Sequence, residues 1–204
     1  MTHLYLIRHA EYIYDRIDGQ GPKQNLGLSE VGREQALRLW SRLSQSGELQ
    51  PDLFLSSTER GALETAEVIA SALGQPVTPD RGFEEWRSED GTLETEAFLA
   101  QWRPLTDRQR PFHRFVEGCE TGIEFNTRVH SSLHRILQQH AGKTIVLLTH
   151  GGVIQVAFLF FFGFGDAAFR RASPAAAPTS ITHWRQEGNS ERWVLESSND
   201  CRHL

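Results

Sequence analysis

The sequence has only two cysteines in 204 residues, and neither belongs to a Cys-x-x-Cys pair. Because Cys119 and Cys201 stand far apart, a disulfide framework or a zinc site has no support, and we expect a reducing, cytoplasmic setting. The first residues also lack the basic, apolar and small-residue succession of a secretion signal. These absences favour a protein that works in the compartment where it is made.

An excess of basic residues is also missing, since the formal net charge is −5 at pH 7. Nucleic acids and anionic membranes favour basic surfaces, so we expect neither as a partner. The one strongly apolar stretch, residues 153–164, contains Gln155. It is far shorter than the roughly 20 residues that span a bilayer. We predict a buried helix there instead.

What is present is an ordinary globular composition, with 39% hydrophobic and 23% charged residues. The length fits one domain, and we predict a single domain over residues 1–204. Residues 76–118 are irregular, with several prolines and glycines, which predicts short helices that form a lid or specificity region. The sequence does not decide between a monomer and a homodimer.

Strand-like and helix-like segments alternate along the chain. Apolar runs at residues 4–7, 53–55 and 144–149 predict buried strands, and helical spacing predicts helices at 29–45, after the candidate N-caps at 56–58, and at 122–140. Residues 12–28 read as a loop, and residues 180–184 and 192–195 as a terminal hairpin. This order predicts an α/β three-layer sandwich, with a mostly parallel central sheet flanked by helices.

Two of the predicted strands are followed by histidines. Arg8-His9 follows the first strand, and His150-Gly151-Gly152 follows the strand at 144–149. In open parallel sheets ligands gather beyond the carboxyl ends of the strands. We therefore expect both imidazoles at one edge of the sheet, within one pocket.

Five motifs in order make the sequence similar to the histidine phosphatase (phosphoglycerate-mutase-like) superfamily. Leu-Ile-Arg-His-Ala-Glu at 6–11 resembles the Arg-His-Gly-Glu signature, and residues 148–153 resemble the second histidine motif. The other similar segments are residues 32–36, 56–67 and 118–121. The resemblance implies a metal-independent phosphatase without a cofactor, which acts on a small phosphorylated substrate through a phosphohistidine.

Phosphoryl transfer places negative charge on three oxygens, which oriented cations and donors must meet. Arg8 and Arg60 are the predicted phosphate ligands, because a guanidinium can hold two oxygens at once. His9 is the predicted nucleophile, and its other ring nitrogen needs an acceptor that the sequence does not identify. We expect His150 to bond a phosphoryl oxygen, helped by the amides of a helix that begins near Gly151.

The leaving oxygen needs a proton, and a later water must lose one, so a carboxyl group is expected beside the phosphate. The family places this acid two positions after an apolar residue, and Phe83-Glu84-Glu85 has that spacing. This identifies Glu85 as the acid, with Glu84 as the second choice. A nearby phosphate dianion is expected to raise the pKa of that carboxyl. The alternative is a solvated acidic surface.

Some positions depart from the family pattern. Ala10 replaces the usual Gly, and Asp15 stands where many relatives have an Asn that donates to the phosphate. A carboxylate at residue 15 would repel phosphate unless it turned away. The segment 12–28, which includes Asn25, also differs, and we expect substrate selectivity to arise there.

Other residues have two readings. Arg60 could be a surface ion-pair partner, and Glu120 could orient a ligand or cap the helix that begins near Gly122. His130 and His134 lack the third ligand of a metal site, which favours exposed histidines. Residues 163–165 superficially resemble a dinucleotide loop but end an apolar helix. Four aromatic residues could line a pocket or form core, namely Trp86, Trp102, Phe112 and Phe115.

Two other functions fit the same motifs. A phosphoglycerate-type mutase would return the phosphoryl group to another oxygen of its substrate and would have to shield the intermediate from water. A non-catalytic member would bind phosphorylated ligands or a partner protein in the same cationic pocket. We favour hydrolysis, because the region at 76–118 is short for a cover that closes the site.

Overall fold

The computed structural model describes residues 1–17, 19–163, 172–188 and 190–204. Within these ranges the strands are β1 (His3–Arg8), β2 (Tyr12–Ile17), β3 (Gln20–Leu28), β4 (Leu53–Ser56), β5 (Val77–Pro79), β6 (Thr144–Thr149), β7 (Ile181–Gln186) and β8 (Trp193–Asp200). The α-helices are α1 (Glu30–Ser46), α2 (Arg60–Leu73), α3 (Thr95–Trp102), α4 (Gly122–Gln139) and α5 (Gly151–Phe162). Short 3₁₀ turns lie at Arg81–Phe83 and Arg110–Phe112.

Six strands of the described residues form one mixed sheet in the order β5-β4-β6-β1-β7-β8. The first four run parallel to one another, whereas β7 is antiparallel to β1 and β8 is antiparallel to β7. The predictions of a mostly parallel sheet and of a terminal hairpin are therefore confirmed. Of the turn predicted for that hairpin, Asn189 lies outside the described residues.

Both faces of the sheet are buried. Leu6 and Leu147 face α4 and α5, whereas the next residues along the same strands, Ile7 and Leu148, face α1 and α2. All four side chains have no exposed surface. A strand buried on both faces reads as a continuous apolar run, which is why β1 and β6 were recognisable. The three predicted layers are thus confirmed.

The capping residues predicted from the sequence mark the ends of α1 but not the start of α2. Ser29 caps α1 by accepting from the Gly32 amide at 2.9 Å, and Gly47 ends the helix in the left-handed conformation. The expected N-caps at 56–58 are wrong for α2, which begins at Arg60 with Glu59 at its N-cap.

The reason is that two hydroxyls of residues 56–58 have other partners. Ser57 Oγ lies 2.8 Å from a ring nitrogen of His150, and Thr58 Oγ1 donates to the Glu84 carboxylate. Ser57, just after β4, therefore contacts the residue that follows β6, and Thr58 contacts the segment after the 3₁₀ turn.

The loop expected at 12–28 is wrong, because β2 and β3 form an antiparallel hairpin. This hairpin is held by the segment before α3. The Lys23 amide donates to the Gly91 carbonyl at 2.7 Å, and both Lys23 and Arg16 pair with the Glu94 carboxylate. These are tertiary contacts, so local sequence signals did not indicate the hairpin.

Residues 76–118 contain the expected short helices together with the edge strand β5. Within this region Trp86 and Trp102 pack against Phe115, with ring centroids 6.0 and 5.7 Å away. Phe112 is 65% exposed and stands apart from this packing. Three of the four aromatic residues therefore pack together, and Trp86 joins them to the main core.

The apolar segment predicted at 153–164 forms α5, which ends at Phe162 with Gly163 in the left-handed conformation. Phe164 and Gly165 lie outside the described residues. No described helix combines the length and the apolar character that crossing a bilayer requires. Cys119 and Cys201 are both free thiols.

Candidate active site

Two neighbouring strands bring the two histidines together. β1 and β6 pair in register, with Arg8 opposite Thr149, so the next residue of each strand lies at the same edge. The His9 amide donates to the Thr149 carbonyl at 2.8 Å, and the ring centroids of His9 and His150 are 4.8 Å apart. The structure thus places both imidazoles in one cluster, as the strand order predicts.

The His9 ring has a defined tautomer. Its Nδ1 lies 2.6 Å from the Ala10 carbonyl oxygen, which can only accept, so Nδ1 carries the proton and Nε2 keeps its lone pair. This carbonyl is the acceptor that the sequence left unidentified. Burial lowers the pKa of His9 to about 4, against the opposing effect of the Ala10 carbonyl and with a smaller contribution from Arg8. His9 is therefore neutral at pH 7.

Arg8 lies beside the start of α5. Its Nη1 donates to the Ala176 carbonyl at 2.6 Å, which fixes one end of the guanidinium. Its Nε is buried and has no hydrogen-bond partner among the described residues. A Cβ placed on Gly151 would lie 3.7 Å from this Nε. A donor without a partner, next to a helix N-terminus, is suited to an anion.

His150 is the N-cap of α5, and its own side chain makes no capping hydrogen bond to this helix. Its Nε2 lies 2.8 Å from Ser57 Oγ and 3.6 Å from a Glu59 carboxylate oxygen. Burial, and then the neighbouring His9 and Arg8, hold the pKa of His150 well below its usual range. A neutral imidazole and the start of α5 at Gly151 therefore lie beside Arg8.

Glu85 reaches the same helix N-terminus from the irregular segment after the 3₁₀ turn. Its carboxylate accepts from the Gly152 amide at 2.9 Å and from the Trp86 amide at 3.1 Å. Burial raises the pKa of Glu85, although these two amides and Arg8 oppose the shift. A Cβ on Gly152 would lie only 2.2 Å from the Glu85 carboxylate, so a side chain there would displace the carboxylate from this position.

Glu84 is turned the other way. Its carboxylate accepts from the Thr58 hydroxyl and from Arg81 Nε at 3.3 Å. Of the two acids weighed from the sequence, the geometry therefore favours Glu85 as the one beside α5 and Arg8.

Arg60 is the predicted site residue that the structure does not bring into the cluster. Its side chain is 60% exposed and pairs with Glu64 one turn later on α2, at 2.7 Å. Arg60 thus forms the surface ion pair that was the alternative interpretation, and its role as a phosphate ligand stays a prediction.

Asp15 also stays out of the cluster. It is exposed, and its carboxylate accepts from the Arg16 amide at 2.7 Å, so it is turned to its own backbone. Nearer to His9 is Tyr12, whose ring meets the imidazole edge-on with centroids 5.0 Å apart. No sequence pattern indicated Tyr12, because its position depends on the unexpected hairpin.

Sequence reasoning also missed Arg128 on α4 and Glu59 at the start of α2. Arg128 binds both carboxylate oxygens of Glu120, at 2.7 and 2.8 Å. Glu120 thus neither caps α4, which Thr121 does, nor faces the histidines. The sequence did place Arg128 on the buried side of an amphipathic helix. Because an unpaired charge is costly there, this position indicates that Arg128 has an acidic partner.

His130 and His134 do not extend the site. His130 is half-buried, with its ring edge-on to Phe160 at 5.4 Å, and only His134 is exposed. The part of the chain that the structure describes contains no group of three or more residues that could hold a metal ion.

The fold and this cluster agree with the sequence comparison. Residues 4–200 match the histidine phosphatase superfamily (branch 1), and the chain belongs to this family.

Its relatives include both phosphatases and mutases. The chain is 28% identical over 222 residues to the metal-independent phosphoserine phosphatase of Arabidopsis thaliana, covering 100% of this chain and 84% of the plant protein. It is 28% identical over 218 residues to the probable phosphoglycerate mutase GpmB of Yersinia pestis (strain Pestoides F), covering 100% and 95%. A phosphoserine phosphatase mutant from Entamoeba histolytica, solved in complex with phosphoserine, has the same fold, with a TM-score of 0.73, 22% identity and full coverage of both chains.

Proposed function

We propose that this protein is a metal-independent phosphatase that hydrolyses a small phosphate monoester through a phosphohistidine on His9. One observation carries the proposal. The proton of His9 is fixed on Nδ1 by the Ala10 carbonyl, 2.6 Å away, beside an Arg8 Nε that is buried without a partner. The free lone pair of Nε2 is a nucleophile, and Arg8 is a ligand for the phosphoryl oxygens.

In the first step His9 Nε2 attacks phosphorus, an N–P bond forms, and the bond to the leaving oxygen breaks. Arg8, His150 and the Gly151 amide hold the phosphoryl oxygens as their charge changes. Glu85 gives its proton to the leaving oxygen, and its raised pKa supports this role. We leave Arg60 out of the phosphate site, because it pairs with Glu64 at the surface.

In the second step a water molecule attacks phosphorus, the N–P bond breaks, and the Glu85 carboxylate takes a proton from the water. Inorganic phosphate and neutral His9 result, so the cycle closes with Glu85 protonated again. Each step uses groups of this chain alone.

Trapping the intermediate tests the proposal. A monoester labelled on phosphorus, mixed with the enzyme and quenched in denaturant, is expected to leave label on the protein that is stable in base and lost in acid. His9→Ala should carry no label, whereas His134→Ala, a change at an exposed histidine, should label like the natural protein. Equal labelling of all three would remove the mechanism.

The mutase alternative is tested by the products. We favour hydrolysis because the region between α2 and α4 contains one eight-residue helix and two 3₁₀ turns, a small cover for keeping water out. Incubation with 3-phosphoglycerate should therefore release inorganic phosphate. Isomerisation without phosphate release would reverse the assignment. Binding by calorimetry with no product after long incubation would support a non-catalytic protein instead.

A further inference from the structure

The proposed acid Glu85 lies in a segment with no regular structure, between the 3₁₀ turn Arg81–Phe83 and α3. The two histidines are fixed by the strands that they follow, but no ladder of backbone hydrogen bonds fixes this segment. A general acid must nevertheless stay within hydrogen-bond reach of the oxygen that it protonates. Other contacts must therefore hold the backbone of Glu85.

Arg128 supplies them from α4. Its Nη1 donates to the Gly82 and Glu84 carbonyls, each at 3.0 Å, and its Nη2 donates to the Glu85 carbonyl at 3.0 Å. One guanidinium thus satisfies three carbonyls, one in the 3₁₀ turn and two in the segment that follows it. The planar arrangement of five donors makes this possible, and a lysine ammonium does not reproduce it.

The guanidinium is itself held. Glu120 binds Arg128 Nε and Nη2 at 2.7 and 2.8 Å, and the Phe125 ring lies 5.3 Å from the guanidinium carbon. Burial alone would raise the pKa of Glu120, but the hydrogen bonds from Arg128 and Arg87 outweigh it and lower the pKa to about 2. Glu120 is ionised at every pH of interest, so Arg128 is neutralised locally and committed to this contact.

We propose that the Arg128–Glu120 pair is a positioning device for proton transfer, which holds the Glu85 carboxyl at the N-terminus of α5. This inference rests on the proposed function and deepens it. Arg128 touches the backbone of the acid and not the reacting atoms, so its effect passes through Glu85. Two further contacts fix the same segment from the sheet side, namely Glu85 N to Glu59 at 2.8 Å and Thr149 Oγ1 to the Phe83 carbonyl at 2.9 Å.

The leaving group gives a specific readout. A nitrophenolate departs without much help from an acid, whereas an alkoxide needs a proton. Arg128→Lys should therefore lower kcat/KM for an alkyl phosphate by about a hundredfold, the scale of a general acid, and for p-nitrophenyl phosphate by about threefold. Glu85→Gln should show the same pattern with a larger loss. The double variant should lose little more than Glu85→Gln alone.

Arg87→Lys is the matched control. Arg87 also binds the Glu120 carboxylate, at 2.7 Å, but donates to none of the three carbonyls. We expect nearly equal, small losses on both substrates. Glu120→Gln is a milder second variant for the case that Arg128→Lys does not fold, as judged by thermal unfolding, and should again affect the alkyl phosphate more.

The outcomes separate the two claims. In one outcome Glu85→Gln loses more kcat/KM on the alkyl phosphate than on p-nitrophenyl phosphate, but the folded Arg128 and Glu120 variants lose equally on both. The positioning role is then wrong and the proposed phosphatase stands. If Glu85→Gln loses kcat/KM equally on both substrates, the assignment of Glu85 as the acid is wrong, and the positioning role is wrong as well.

Discussion

The two sides of the candidate site are built differently. On one side His9 and His150 follow the adjacent parallel strands β1 and β6, and the backbone alone brings their rings to 4.8 Å. On the other side Glu85 sits in an irregular segment that a side chain from α4 holds in place. Residues at strand ends are positioned by topology, whereas the acid is positioned by long-range contacts. Substitutions around the two histidines should therefore have little effect on activity, whereas substitutions around Glu85 should lower it.

The largest expected effect lies on the strand side. Removing the nucleophile by His9→Ala should lower kcat for any phosphate monoester by about a thousandfold or more, because no other group offers the same lone pair. Initial rates on p-nitrophenyl phosphate measure this, with His134→Ala as the control. Retention of more than a tenth of the activity would mean that His9 is not the nucleophile.

The next largest effect concerns the two arginines predicted as phosphate ligands, whose substitution by alanine should lower activity to different extents. Arg8→Ala removes a buried donor at the site and should lower kcat/KM by about a hundredfold. Arg60→Ala breaks only an exposed pair with Glu64, so its activity should stay within about twofold of the natural protein. The same substitution at both positions makes the pair a matched comparison. A large loss for Arg60→Ala would return this residue to the phosphate site.

The pH profile tests both sides together. His9 must be neutral to attack, and its pKa is about 4, so kcat/KM should fall below about pH 4. Glu85 must be protonated, so kcat/KM for an alkyl phosphate should also fall above its raised pKa. Profiles of the natural protein and Glu85→Gln check this, because only a limb that belongs to Glu85 disappears in the variant. An unchanged alkaline limb in Glu85→Gln belongs to the substrate or to another group.

The smallest expected effect concerns Glu59, which lies 3.6 Å from His150. Its carboxylate repels a phosphate bound at His150, and Glu59→Gln keeps an oxygen for the Glu85 amide while removing the charge. Inorganic phosphate should therefore inhibit the variant at concentrations about threefold to tenfold lower at neutral pH. Glu67→Gln, the same change at an exposed position of α2, should leave inhibition unchanged. Weaker inhibition of Glu59→Gln would mean that Glu59 supports phosphate binding.

The sequence predicted much of the fold for physical reasons that can be named. β1 and β6 are apolar runs because both their faces are buried, and Ser29 and Gly47 mark the ends of α1 by their capping chemistry. The hairpin of β2 and β3 was missed because ion pairs to Glu94 hold it, and these depend on residues far along the chain.

The candidate site divides in the same way. His9, Arg8 and His150 could be located because each stands at or next to the end of a strand. Arg60 stands at the start of α2, where its side chain pairs with Glu64, so its place in the phosphate site stays a prediction. Arg128 was missed since its partners lie on a segment that has no pattern of its own.

Position 152 has a consequence for how this protein can change over generations. A single methyl group there would stand 2.2 Å from the Glu85 carboxylate and push the acid off the helix while leaving His9 and Arg8 untouched. The carboxylate is the far end of a flexible side chain, so alanine at 152 is expected to cost the protein this one contact while the paired strands that carry the two histidines keep their arrangement.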